Sequence, residues 1–540
     1  MSFKEKKYRY YLPIIFALLL LLGMWAGIKL SPESDVHSGM FAPAGNRYNK
    51  VSDLMSYILS NYVDSVSKDK LSDDAILGIL EDLDPHSQYF SAEMLSEVNE
   101  DLMGNFEGIG IQFRIESDTI TVIQTIDGGP SEKVGLLAGD RIVHVDDSLV
   151  AGVGIQNADA IGMLKGPRGT EVSIGVYRKG IMGLLDFDII RDVIPTFSVD
   201  VTYMPQDTIG YIKISKFSAT TYEEFREALM SLLEQGMNSL ILDLRGNTGG
   251  YLQAAKKMAD EFLKAEQLIV YTEGNSRPRN YAYASQSGNF EEQEIIVLIN
   301  EGSASASEII AGAIQDNDRG MIIGRRSFGK GLVQEQLTLP DGSAVRLTIA
   351  RYYTPSGRCI QRPYENGKDD YYEDFYERFH NGEIQSADSI HFDDSLKYQT
   401  VGGRTVYGGG GIMPDIYVPY DADQYPEYYN KLLDKGLIFR YAFSYTDSHR
   451  QELNAYKDFE DFDENFNIDK RMFNKFVEYA AGKGIERDRK GIRDSEERIK
   501  ILMKAFIARN LFDNEGFYPI YHRIDDTFLR AIEYLEGSGQ

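Results

Sequence analysis

Residues 294–334 read EIIVLINEGSASASEIIAGAIQDNDRGMIIGRRSFGKGLVQ. The apolar run from Glu294 to Asn300 predicts a buried strand, the run from Glu308 to Gln315 a helix, and Met321 to Gly324 a second strand. Ser303, Ser305 and Ser307 therefore fall at a strand-to-helix junction. There the first N–H groups of the helix lack intrahelical partners and the helix dipole favours negative charge, an environment that suits an oxyanion. The same letters also fit a plain helix cap, because Ser305-Ala306-Ser307-Glu308 is S-x-x-E. No histidine lies in the stretch, and the proton acceptor it offers is Lys330, between two glycines. A lysine acts as a base only when neutral, which requires burial to lower its pKa from about 10.4. If the chain stays extended after Lys330, then Lys330, Leu332 and Gln334 share a face, and the Gln334 amide can orient the amine.

Working outward, the chain from about Pro195 alternates strand and helix. TIGYIKI reads as a strand, TYEEFREALMSLLEQG as a helix ended by Gly236, SLILDL as a buried strand and LQAAKKMADEFL as a helix. This order implies an α/β layer with functional residues at the carboxyl ends of its strands. LDLRGNTGG, residues 242–250, sits at such an end. Its glycines allow a backbone N–H to approach a developing negative charge, and they equally suit a tight connection.

Upstream, residues 104–192 alternate in the manner of strands. FEGIGIQF places Gly108 and Gly110 around Ile109 as a strand begins, a backbone arrangement that can capture a carboxylate. Together with GGPSEKVGLLAGDRIVHVDD and NADAIGMLKGPRGTEVSIGVYR, this segment resembles a PDZ domain of the type found in extracytoplasmic bacterial proteases, with its short helix beginning near Asn157. The resemblance implies that a peptide's carboxyl terminus adds as a strand beside Ile109 to Phe113. The last side chain of that peptide would enter an apolar pocket for which Ile109, Ile111, Ile161 and Leu164 are candidates.

The whole chain has 540 residues, 43% hydrophobic and 26% charged, which suits several globular domains. A formal charge of -26 disfavours nucleic acid as a partner. The single cysteine, Cys359, excludes an internal disulfide framework, and the seven scattered histidines form no metal motif, so no cofactor is expected. Lys4, Lys6, Lys7 and Arg9 precede an apolar run from Tyr11 to Ile28, long enough to cross a ~30 Å hydrocarbon core. This predicts an uncleaved anchor in the cytoplasmic membrane with the body on the extracytoplasmic, periplasmic side. Trp25 and Met24 disrupt the small-residue pattern that a signal peptidase would need. Residues from about Asn46 to Glu100 show helical spacing. The stretch from Pro363 to Thr400 is an acidic, tyrosine-rich insert, read as a solvated surface or packing module, and the chain from about Asp421 is acidic, aromatic and helical in character.

LDLRGNTGG, GSASASE, FGKGLVQ, RYYTPSGRCIQ and GGGIMPD, in this order within residues 62–420, resemble the carboxyl-terminal processing peptidases, or tail-specific proteases, which use a Ser/Lys dyad. The resemblance implies Ser305 as nucleophile, Lys330 as base and Gln334 as its orienting group. It also implies Ala306 and a glycine of the NTGG turn, Gly249 or Gly250, as oxyanion donors. The fold class expected is α/β and multidomain. Residues 1–30 form the membrane segment, 31–103 a helical region, 104–192 the PDZ domain, 193–420 a ClpP/crotonase-like α/β peptidase core, and 421–540 a helical region. Partners implied are polypeptides with apolar carboxyl termini, the membrane and, through the terminal helices, another copy of the chain. The alternative is a non-catalytic PDZ-containing envelope scaffold or a ligand carrier on the same fold.

Overall fold

The strand and helix alternation after residue 195 builds a six-stranded sheet in the computed structural model, which describes residues 16–23, 49–126, 128–285, 288–420 and 425–538. Its order is Val199–Gln206, Ile209–Ile214, Ser239–Asp243, Glu294–Ile299, Met321–Gly324 and Ile416–Tyr417. The first pair is antiparallel and the rest are parallel. Parallel strands are covered on both faces, which is why SLILD and EIIVLI read as unbroken apolar runs. Leu240, Leu242, Val297 and Ile299 face one core together with the helices Thr221–Glu234, Leu252–Asp260 and Ala306–Asp316. Ile241, Ile296 and Leu298 face the other side, against Phe528, Ala531 and Leu535 of the helix Asp526–Ser538. This helix thus completes the layer, although it lies beyond residue 421.

A second sheet carries Gln88–Phe90, Ala344–Tyr353, Leu268–Gly274 and Arg277–Tyr283 in that order, with Leu332–Thr338 paired to Ala344–Tyr353. The expectation of a purely helical segment over residues 46–100 needs correction here. Helices Lys50–Asn61, Lys68–Glu81 and Ala92–Met103 form, but Gln88–Phe90 leaves the helical series and pairs with Ala344–Arg346. Three residues are too few to carry a strand period.

Residues 104–192 form a separate sheet around their own core, with the short helix Asn157–Leu164 beginning at the expected residue. A two-stranded ribbon, Asn105–Gly108 against Asp192–Pro195, leads into and out of it. Helices between Glu427 and Tyr521 pack around a further core rich in tyrosine and phenylalanine.

The chain divides into two compact units, residues 1–75 and 76–540, and the helix Lys50–Asn61 belongs to the first. Of the apolar run Tyr11–Ile28, only residues 16–23 are described. They are helical and exposed. Among the described residues no helix is long and apolar enough to cross a membrane. The rest of the expected anchor, and the first part of the region expected to be helical after it, lie outside the described residues.

Candidate active site

Ser305 is the residue immediately before the helix Ala306–Asp316, and its backbone stands at φ 54° and ψ -108°. A non-glycine residue at positive φ is strained by its Cβ, and such strain persists only where the surroundings enforce it. The flanking serines do part of that. The Ser303 hydroxyl donates to the Leu244 carbonyl at 2.8 Å and the Ser307 hydroxyl to the Asn247 carbonyl at 2.9 Å. Both are fully buried, whereas Ser305 is only half-buried. The alternation of serines therefore separates two structural hydroxyls from one accessible one.

Lys330 lies in the connection between Met321–Gly324 and Leu332–Thr338, and its amine donates to Gln334 Oε1 at 3.1 Å. Gln334 follows a bulge in its strand, and its own amide donates to the main-chain carbonyl of His86. Burial lowers the Lys330 pKa. The nearby Arg346 guanidinium adds to that effect, and Asp84 and Glu308 oppose it. The amine is thereby biased toward the neutral form that a base requires.

Two buried side chains tie the serine turn to the lysine loop. One oxygen of Glu308 accepts the N–H groups of Ser305 at 2.8 Å and Lys330 at 2.9 Å. Its other oxygen accepts the Ser327 hydroxyl at 2.5 Å and the Gly329 N–H at 2.7 Å. Tyr352, also buried, sets its hydroxyl 2.8 Å from the Lys330 carbonyl and 3.2 Å from that of Ser305. Burial raises the pKa of the Glu308 carboxyl while its four donors lower it, and burial raises that of the Tyr352 phenol. The glutamate of the S-x-x-E pattern does serve the helix start, as a cap would, and it reaches across to the second loop as well.

The Leu242–Gly250 turn closes a third side. Asn247 holds it: its side chain donates to the Ile214 carbonyl at 3.0 Å and accepts the Gly249 N–H at 2.9 Å, and its own carbonyl accepts the Ala304 N–H at 2.9 Å. A Cβ on Gly249 would lie 2.8 Å from the Ser305 Cβ and 3.0 Å from the Ala306 nitrogen, so only glycine fits, and its φ of +100° agrees. Of the two glycines left open by the sequence, Gly249 has its N–H engaged by Asn247. The Gly250 N–H, like that of Ala306, makes no hydrogen bond among the described residues.

The remaining motifs are scaffold. Arg358, fully buried, binds Asp316 and Gln315 at 2.7 Å each, while Gln361 accepts the Gly331 N–H at 2.8 Å. Ser327 accepts the Ile412 N–H at 2.6 Å, which joins GGGIMPD to the lysine loop. The sequence reading missed the His86 carbonyl, Arg346, Tyr352 and the second role of Glu308. For Glu308 the signal was present in S-x-x-E. For His86 and Arg346 nothing in their local sequence points to the site.

In the PDZ domain the N–H groups of Ile109 and Gly110 make no hydrogen bond among the described residues, while the Ile109 carbonyl accepts Ser131 through both its N–H and its hydroxyl. Gly108 closes the ribbon strand opposite Asp192. Two of the four pocket candidates require correction. Ile109 and Leu164 are buried at 2% and 4% exposure within the domain's own core, where strand and helix pack on each other. Ile111 is half-buried and Ile161 is 38% exposed, so these two remain accessible.

A family model for peptidase family S41 matches residues 208–367, one for PDZ domains matches 108–189, and one for a family of unknown function matches 428–513. With the geometry above, the first two matches define the class: a serine-type peptidase carrying a PDZ domain. The carboxy-terminal-processing protease of Bartonella bacilliformis is 38% identical over 314 residues, covering 57% of this chain and 71% of that one. The carboxy-terminal processing protease CtpA of Bacillus subtilis is 34% identical over 353 residues, covering 64% of this chain and 75% of its own. Among solved structures, a photosystem II D1 C-terminal processing protease is 25% identical, covering 68% of this chain and 92% of that one with a TM-score of 0.36. The chain belongs to the carboxy-terminal processing proteases.

Proposed function

We propose that the chain is an endopeptidase that cleaves extracytoplasmic polypeptides near their carboxyl termini, with Ser305 as nucleophile and Lys330 as general base. The observation that carries this reading is the shared oxygen of Glu308. Two backbone nitrogens bonded to one oxygen at 2.8 and 2.9 Å lie no more than 5.7 Å apart, which keeps serine and lysine together although 25 residues separate them in sequence. In the reaction, neutral Lys330 takes the Ser305 proton as Ser305 Oγ attacks the scissile carbonyl. The N–H groups of Ala306 and Gly250 hold the resulting oxyanion. The lysine then protonates the leaving amine, and in the second half of the cycle it activates the water that hydrolyses the acyl-enzyme. Gln334, held by the His86 carbonyl, keeps the amine aimed through each transfer.

In this reading the free N–H groups of Ile109 and Gly110 receive the substrate's terminal carboxylate, and Ile111 and Ile161 contact its last side chain. Residues 1–30 anchor the chain with its body on the extracytoplasmic side. Alkaline extraction of membranes tests the anchor and should leave the chain in the pellet; protease added to spheroplasts tests the orientation and should remove it. Assembly of the body into a homo-oligomer belongs to the same reading, and light scattering that gives a monomer at every concentration removes it. The test of the activity itself mixes the chain lacking residues 1–31 with an unfolded protein bearing an apolar tail. Ser305→Ala and Lys330→Ala should each lower cleavage by more than ~10³-fold, and the double variant no further. Equal cleavage by all forms overturns the dyad, and no cleavage by any form leaves the non-catalytic scaffold or ligand carrier as the function.

A further inference from the structure

A cavity of about 210 Å³ beside the acidic insert counts Arg326, Arg362 and Arg378 among its lining residues. Arg362 and Arg378 are each only 2% exposed. Arg326 is satisfied by both oxygens of Glu383 at 2.6 Å. The other two are not. Arg362 lies between the rings of Phe328 and Tyr371, 4.4 and 4.1 Å from their centroids, and its Nη1 reaches Asp374 at 2.8 Å. Its Nε and Nη2 have no hydrogen-bond partner, and neither has Nε of Arg378.

Aromatic faces stabilise the flat of a guanidinium and leave its edge N–H groups unmet, so three buried charged donors here want acceptors. The resident carboxylates do not supply them. Glu383 is held by Arg326 and stays 3.9 Å from Arg378, and Asp374 is 60% exposed. Glu365 and Asp370 border the cavity but are exposed. Burial and the two neighbouring arginines depress the Arg378 pKa to about 10, as crowded cations with no full complement of anions should. The helix Lys368–Glu377 begins at the cavity rim, at Gly367, with no side-chain cap.

We propose that this cavity binds a small oxyanion, phosphate or a free carboxylate, on the buried, unpartnered N–H groups of Arg362 and Arg378. The occupant would stiffen the loop that carries Lys330, because both arginines also hold that loop. The Arg362 N–H donates to the Gly329 carbonyl at 3.0 Å and Arg378 Nη1 to the Ser327 carbonyl at 2.9 Å. The site is separate from the PDZ nest and does not depend on the catalytic reading.

The test uses the full-length chain and its Ser305→Ala form at constant ionic strength. Inorganic phosphate, a short peptide with a free carboxyl terminus and the same peptide amidated are each titrated, with melting temperature and calorimetric heat as readouts. A saturable rise is expected with phosphate or with the free-carboxyl peptide, not with the amide or with chloride, and equally in both forms. The stronger of the two arms identifies the source of the anion. Asp374→Asn, at an exposed partner, should bind more tightly because it removes a negative charge that competes for Arg362, whose Nη1 also donates to the Tyr371 carbonyl at 3.3 Å. Arg362→Lys, which keeps the charge but loses the fork, should bind roughly 10-fold more weakly. The proposal is overturned if phosphate and peptide act no differently from chloride in both the unsubstituted chain and Asp374→Asn. It is equally overturned if the whole signal survives Arg362→Lys, which would assign the binding to another site such as the PDZ nest.

Discussion

Two glycine-rich turns, Gly246–Gly250 and Gly108–Gly110, look alike in sequence and both leave backbone N–H groups without partners, yet they are built in opposite ways. The first is locked. Asn247 engages the Gly249 N–H, Phe217 donates to the Gly249 carbonyl at 2.9 Å, and the whole turn rests against Ser305. The second is open. A Cβ on Gly110 would meet side chains and no backbone atom, Ile194 Cδ1 at 3.0 Å and Pro130 Cδ at 3.4 Å. The difference matches what each must hold. An oxyanion that exists only in a transition state needs donors that do not reorganise, whereas a peptide terminus bound in the ground state tolerates adjustment.

The strongest way to break the comparison is to unlock the first turn's neighbour. Whichever way a glutamine amide sits at position 308, its NH₂ faces two donors that a carboxylate now accepts. Glu308→Gln should therefore lower stability by on the order of 3 kcal/mol and kcat/KM by on the order of 10³-fold. Chemical denaturation and peptide cleavage measure the two effects. Wild-type stability in this variant would mean that the two loops hold themselves together without the carboxylate.

Gly250→Ala comes next. A methyl group there would overlap the Phe217 carbonyl oxygen, and φ is +142°. The turn has no means of yielding, so kcat should fall about 10²- to 10³-fold with KM little changed. Gly249→Ala should lower kcat too, through displacement of Ser305. An unchanged kcat in Gly250→Ala would move the oxyanion site away from this turn.

How much of this was legible in sequence follows the same division. The parallel core announced itself because fully buried strands are uniformly apolar, and Ser305, Lys330 and Gln334 sit in short motifs whose spacing survives folding. Glu308 was visible only as a cap, since a local pattern says nothing of a loop 22 residues away. The carbonyl of His86 is beyond any pattern: a main-chain atom carries no residue type, and it meets Gln334 across 248 positions. Arg346 lies on a strand where an alternating charge reads as solvent-facing. In the PDZ domain the apolar residues on strand and helix gave no means of telling pocket from core, and Ile109 and Leu164 proved to be core.

Arg346 gives a prediction of direction and not of size. Its charge helps hold the Lys330 pKa below the ordinary lysine value, so activity rises as pH climbs through that depressed pKa and the amine loses its proton. Arg346→Gln removes a repelling cation, favours the protonated amine and should move the activity limb to higher pH, whereas Arg346→Lys should leave it in place. His86, whose own pKa burial and Lys330 push down to about 3, is neutral throughout this range and cannot be the source of the limb. A limb that stays put in Arg346→Gln would show that the Arg346 charge does not help to set the Lys330 pKa.

The smallest effect belongs to the open turn and tests whether it acts on binding alone. Ile161 is partly exposed on its helix, so Ile161→Ala removes contact with a bound tail without emptying the core. The loss of a few methylene contacts, ~1 kcal/mol, should raise KM for apolar-tailed substrates roughly 5-fold and leave kcat and the pH limb unchanged. Leu164→Ala, three residues on and 4% exposed, should act differently: it creates a cavity costing ~2–5 kcal/mol of the domain's stability before any question of peptide contact arises. If Ile161→Ala instead lowers kcat, the PDZ domain influences the chemistry and not only the capture of substrate, and the open turn would be coupled to the locked one.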